Sequence, residues 1–183
     1  GIAFTGSGKT LVFCLPLVLI ALQQEKMLPI GPGEGPVGIV VCPSRELARQ
    51  THEVIEELTG AIYKDGGPQI RSLLCIGGLR MRDQAAEARR GIHIVVATPG
   101  RLVDMLNRSK FSLQSCKYLA VDEADRMIDQ DFEEEMRNVM NHFDHQRQML
   151  LFSAIMPAKI KAFAKSALVQ PVVVNVGRAG AAN

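Results

Sequence analysis

Tryptophan is absent from this 183-residue chain, and aromatic residues make up only 5% of it. A core large enough for one domain therefore has to be built from aliphatic side chains. Charge of one sign is also lacking: 21 Lys and Arg face 19 Asp and Glu, a formal net charge of +2. That balance is no electrostatic footprint for a nucleic acid, which is normally a concentrated basic face. Any such reading must rest on particular positions. Cysteine is scarce, and Cys14, Cys42, Cys75 and Cys116 lie far apart with no C-x-x-C pair, the spacing that a thiolate metal or redox site uses. Buried, reduced thiols are the expectation. His52, His93, His142 and His145 form no ligand set either; the last two are three apart on an expected helix with no third ligand nearby. The longest apolar run, 11–22, contains Pro16 and falls well short of the ~20 residues of a bilayer span. It is expected to be a core helix. No basic segment with a small-residue cleavage site precedes it, so no membrane partner is expected. There is no internal repeat and no low-complexity tract.

The chain does have a regular alternation. Short apolar, β-branched runs at 37–42, 70–76, 93–97, 117–121, 148–152 and 172–176 read as strands. They are continuous rather than alternating, as strands covered on both faces are. Helical patterns occupy 8–26, 45–62, 80–90, 100–107, 132–143 and 158–167. Strand–helix alternation predicts an α/β fold, a mostly parallel sheet in a three-layer sandwich. Pro16 is expected to kink the first helix rather than end it, since the apolar pattern continues beyond it.

Ala3-Phe4-Thr5-Gly6-Ser7-Gly8-Lys9-Thr10 fits G-x-x-x-x-G-K-[ST] with Ala in place of the first Gly. Gly6 and Gly8 let successive backbone N–H groups turn inward onto phosphate oxygens. The helix that follows offers its positive end to the same anion. Lys9 is placed to reach terminal phosphates, and the Thr10 hydroxyl to ligate Mg²⁺. Such a loop needs an acid at the end of another strand, and the run 117–121 leads into Asp122-Glu123. Asp122 would hold the metal through water. Glu123 would orient and deprotonate an attacking water, a role worth roughly 10²–10⁴-fold in rate.

These elements have company in a fixed order: Pro43-Ser44-Arg45-Glu46-Leu47-Ala48, Gly77-Gly78, Thr98-Pro99-Gly100-Arg101, Asp122-Glu123-Ala124-Asp125 and Ser153-Ala154-Ile155. With them the chain resembles the DEAD-box RNA helicases over nearly its whole length. Ile2 to Thr5, Cys42 to Arg45, Asp122 to Asp129 and Asn175 to Ala182 look most like the Abstrakt-type subgroup, and the tail like its plant members. The resemblance implies a RecA-like domain using ATP and Mg²⁺. It implies phosphate contacts from Gly6, Gly8, Lys9 and Thr10, and metal-holding and catalytic roles for Asp122 and Glu123. It also implies a bond from Asp125 to the Ser153 region that links hydrolysis to lobe closure. Pro43, Arg45, Gly78, Thr98, Gly100 and Arg101 match positions that hold RNA through its sugar-phosphate backbone. Single-stranded or short duplex RNA, a second RecA-like domain, spliceosomal proteins and a nuclear location are implied with them.

Against the family pattern, most of the strand that should precede the phosphate loop is absent before Gly1, and no second lobe with arginine fingers follows Asn183. Residues 1–183 are thus expected to be the first lobe, lacking its extreme N-terminus and unable to unwind RNA by itself. Ile155 stands where the family has Thr, and Asp131 where it has Gly. Two other readings stay open. One is a DNA-translocating or AAA-type NTPase. The other is a non-catalytic fragment that binds nucleotide or RNA weakly.

Overall fold

The computed structural model describes residues 8–127 and 132–176, with the side chain of Phe132 left aside. In chain order the elements are α1 (Lys9–Met27), β1 (Gly38–Val41), α2 (Arg45–Lys64), β2 (Ser72–Cys75), α3 (Met81–Ala88), β3 (Ile94–Ala97), α4 (Pro99–Asn107), β4 (Tyr118–Val121), α5 (Phe132–Met140), β5 (Gln148–Leu151) and α6 (Ala158–Ala167). A 3₁₀ turn at Ala124–Met127 follows β4. The five strands form one parallel sheet in the order β2-β3-β1-β4-β5.

Side-chain alternation divides the core in two, because successive strand residues point to opposite faces. Val40, Ile94, Val96, Tyr118 and Ala120 pack beneath α1 and α2. Ile39, Val41, Leu73, Val95 and Leu119 face α3, α4, α5 and α6. The chain is therefore an α/β/α sandwich, as the alternation of runs predicts. β1, β3 and β4 are buried at every position, which explains their unbroken aliphatic sequence.

α1 runs through Pro16 without ending. Proline removes the bond that Val12 O would accept, and beside that gap the buried Tyr118 hydroxyl donates to Phe13 O at 3.0 Å. By length and composition α1 could cross a bilayer, yet Phe13, Cys14, Leu17, Val18 and Ala21 are buried within the core. All four cysteines are free and buried. Burial pushes the thiols of Cys14, Cys75 and Cys116 up to about 12, and that of Cys42 further in the same direction.

Two expectations are corrected. Residues 172–176 form no strand, and Val172 is 89% exposed. Strand propensity measures fit to a half-covered pleated surface, and here neither face is covered. The helix expected at 132–143 stops at Met140, so His142 and His145 are not on it; His142 instead bonds Asn107 Oδ1 at 3.2 Å.

At the amino end of the sheet a polar cluster staples three segments. His93, fully buried, accepts from Arg71 N at Nδ1 (3.0 Å), so Nε2 carries the proton that it donates to Glu25 Oε2 (2.8 Å). The same carboxylate accepts from Ile30 N, and the Arg71 guanidinium donates to Gly91 O and Ile30 O. Burial lowers the pKa of His93 despite Glu25. Burial acts to raise that of Glu25, but the bonds from His93 and Ile30, with the neighbouring positive charges, leave it lowered. A neutral imidazole thus donates to an ionised carboxylate.

Candidate functional site

The carboxyl ends of β1 and β4 are neighbours, yet the chain leaves β1 toward β2 and enters β4 from β3. Such a reversal opens a crevice above the strand ends, the usual ligand position in a parallel sheet. Asp122 follows β4 directly, its N–H donating to Val41 O at 2.9 Å. The residue is 4% exposed. Burial is the main influence raising its pKa, and the charges of Glu123 and Asp125 add to it. The Glu123 N–H and the charge of Lys9 act against this rise. Lys9 opens α1 on the same side of the sheet, close enough for its charge to act on Asp122. Gly8, with φ +78°, makes the left-handed turn into that helix, which has neither a side-chain cap nor an acid in its first turn. Positive helix end, lysine and buried carboxylate are thus together. Thr10 lies in the first turn of α1, half-buried. Ala3, Phe4, Thr5, Gly6, Ser7 and Asp131 lie outside the described residues.

Glu123 has φ +47°, a left-handed conformation that costs a non-glycine residue on the order of 1–3 kcal/mol. Its amide bonds the Asp122 carboxylate at 2.9 Å, and its own carboxylate pairs with Arg126 at 3.2 Å. Asp125 Oδ1 accepts from the Ser153 hydroxyl at 2.8 Å and from Ala154 N at 3.2 Å, which ties the turn after β4 to the end of β5. Ile155 is 61% exposed, so its side chain takes no part in that junction.

A second group lies after β1, β2 and β3. Pro43 and Ser44 follow β1; Ser44 caps α2 by accepting from Leu47 N at 3.1 Å. Arg45 follows, exposed, with its guanidinium over Gly77 and Gly78. Gly78 has φ +84°, a left-handed backbone that favours glycine, and a Cβ there would stand 2.9 Å from Arg45 Nη1, the movable end of that side chain. Arg101 donates to Leu79 O at 3.0 Å. Thr98 precedes α4, and Gly100 lies in its first turn against Glu135. Neither Arg45 nor Arg101 is in an ion pair among the described residues. Two guanidinium groups and the glycine turn are therefore on one face.

The donor set suits a hard cation held mainly through a ligand. No three His, Cys, Asp or Glu residues form a cage among the described residues, and Mg²⁺ normally binds through one or two carboxylates with phosphate and water. Asp122, with one carboxylate oxygen bonded to Glu123 N, and the Thr10 hydroxyl fit that pattern. The sequence motifs did not single out Arg126, although its place three residues after Glu123 in a tight turn was a usable signal.

The DEAD/DEAH box helicase family matches residues 1–163. DEAD-box ATP-dependent RNA helicase 35 of Arabidopsis thaliana is 64% identical over the whole chain, which covers 31% of that protein. ATP-dependent RNA helicase abstrakt of Drosophila melanogaster is 58% identical, again over the whole chain and 30% of the relative. The chain thus spans about a third of the length of these curated relatives. The crystal structure of the yeast DEAD-box splicing factor Prp28 superposes with a TM-score of 0.84 at 30% identity, covering 97% of this chain and 42% of that one.

Proposed function

The chain belongs to the DEAD/DEAH box helicase family, and from that premise we propose that it is the ATP-binding lobe of an ATP-driven RNA-remodelling enzyme. The observation that carries this reading is the meeting of Lys9 with the buried Asp122 at the crevice between β1 and β4. The uncapped start of α1 and Lys9 bind the phosphates of ATP, with 3–8 as the loop around them. Thr10 and Asp122 hold Mg²⁺, which neutralises phosphate charge. Glu123 orients the attacking water and takes its proton, and its left-handed backbone aims the carboxylate while Arg126 restrains it. Asp125 and Ser153 couple the state of the nucleotide to the lobe surface. Pro43, Arg45, Gly78, Thr98, Gly100 and Arg101 hold RNA by its phosphates and sugars, which positions a strand without reading bases. A second RecA-like domain of the whole protein closes over ATP and RNA and supplies the remaining positive charge. Spliceosomal partners and a nuclear location are part of this proposal, supported by the likeness to the yeast DEAD-box splicing factor Prp28.

The test is steady-state ATP hydrolysis by the full-length protein with single-stranded RNA, single-stranded DNA or no nucleic acid. RNA-selective stimulation is expected. Equal stimulation by DNA would point to a DNA-translocating NTPase, and hydrolysis absent from the full-length protein would leave only a binding role. The 183-residue chain alone is expected not to separate duplexes, since one lobe cannot clamp RNA from both sides.

A further inference from the structure

Asp122, Glu123 and Asp125 all follow β4, and each carboxylate is held differently. Asp122 is buried and accepts from the Glu123 N–H at 2.9 Å. Asp125 is fixed from another element, since Ser153 Oγ and Ala154 N, beyond β5, both donate to its Oδ1. Glu123 is held by a side chain of its own turn, with Arg126 Nε 3.2 Å from its Oε2. Arg126 also donates its backbone N–H to Glu123 O at 2.9 Å, so guanidinium and carboxylate close one small loop of chain. The rest of that turn is pinned: Ala124 and Met127 are buried, and Ala124 N donates to Phe152 O at 3.0 Å. The Arg126 side chain is its loose member, 66% exposed against 14% for that of Glu123.

An ion pair with so exposed a partner contributes little to stability, and the long arginine side chain gives up rotamer freedom to make it. Its consequence lies in what it does to Glu123. A general base must have an oxygen within hydrogen-bond reach of the water it deprotonates, and here Oε2 is taken by a donor that is not water. The bond is also easily undone, because the turn need not move: the guanidinium has only to swing outward. We propose that Arg126 is a positioning residue that holds the Glu123 carboxylate out of use while no RNA is bound, and that RNA-driven closure of the whole protein frees it. This rests on the reading of Glu123 as the base. Two states follow, one paired and one free, and hydrolysis runs at the rate of the free fraction. The exposed guanidinium is the part of the pair that a second domain closing over the lobe can reach, so closure favours the free state.

The test is steady-state ATP hydrolysis by the full-length protein, with and without saturating single-stranded RNA, in the wild type, Arg126→Ala and Arg126→Lys. Arg126→Ala should raise the RNA-free kcat by about two- to fivefold, the range an exposed pair can supply, with KM for ATP unchanged. The RNA-saturated rate should rise by less, so the stimulation by RNA falls. Loss of a merely structural residue would lower both rates. Arg126→Lys keeps a cation within reach and should hold the RNA-free rate near that of the wild type. Arg137→Ala removes another exposed pair, with Glu133 at 2.7 Å, and should leave that rate as it is. Combined with Glu123→Gln, Arg126→Ala should add nothing. An RNA-free rate unchanged or lowered in Arg126→Ala, or raised equally by Arg137→Ala, would overturn the proposal while the reading of Glu123 stands. Hydrolysis that survives Glu123→Gln would overturn that reading and the proposal with it.

Discussion

At the amino end of the sheet His93, Glu25 and Arg71 meet one another or backbone groups across three segments. At the carboxyl end Asp122 is buried beside two further carboxylates, Glu123 holds a left-handed backbone, and Arg45 and Arg101 have no acid partner among the described residues. The same sheet carries both ends, so their difference is not one of rigidity. The amino end lowers the energy of the fold. The carboxyl end gathers buried carboxylate charge and a strained backbone, and such features persist where the surrounding structure over-determines them. This is why one sheet can carry both kinds of end.

Replacing Glu123 by Gln tests the contrast most severely. In the full-length protein RNA-stimulated ATP hydrolysis should fall by roughly 10²–10⁴-fold, with the thermal midpoint of the lobe unchanged or raised. A fall in midpoint of several degrees would show that Glu123 is a structural residue and break the comparison.

The mirror-image change is His93→Ala, which strips a donor from a part-buried carboxylate and an acceptor from Arg71 N. A loss of about 2–4 kcal/mol in urea denaturation is expected, since orphaned buried groups cost ~1–3 kcal/mol each. ATP affinity at a temperature where the variant is folded should be unaltered.

Arg45→Ala and Arg101→Ala should each weaken RNA binding about equally for all sequences and lower the salt slope by about 1. A change of base preference at constant affinity, measured by fluorescence anisotropy over a salt series, would contradict backbone contact.

The smallest effect is in pH, where the two ends have opposite signs. His93 and His52 have lowered pKa values in the fold, from an ordinary 6.5. As pH falls below that value the unfolded chain binds the proton first, so stability declines. Glu25, lowered from 4.5, continues the decline at more acid pH. Asp122 is raised from 3.8, so the folded state takes its proton first and gains stability over the window above that value. Urea midpoints should therefore fall less steeply between pH 7 and 5 in His93→Gln, and more steeply just above pH 3.8 in Asp122→Asn. Equal slopes would show that neither end titrates as assigned.

The positions of several proposed site residues relative to the strands and helices were legible from the sequence pattern. The motifs at Asp122-Glu123 and Thr98 to Arg101 each follow an apolar run, and chain order alone put them at the ends of β4 and β3, while Gly8-Lys9-Thr10 leads into the apolar helix α1. Five of the six expected strands are present, each shorter than its run by one to three residues. The run at 172–176 misled because its composition is that of a strand and its surroundings are not.

What the linear pattern determined, then, was the class of fold and the residue types at the proposed phosphate and metal positions, because a 3.6-residue or continuous apolar period and a glycine-lysine turn are local properties. Only the tertiary structure decided the strand order β2-β3-β1-β4-β5 and with it the crevice. It alone joined Glu25 to His93 across 68 residues, whereas the bond of Ser153 to Asp125 across 28 is one that the family resemblance had implied. It also put Glu123 into a left-handed turn and left Gln84 Oε1 without a partner. Those outcomes depend on which distant backbone and side-chain groups arrive at the same place once the aliphatic core has closed, and no local period encodes that.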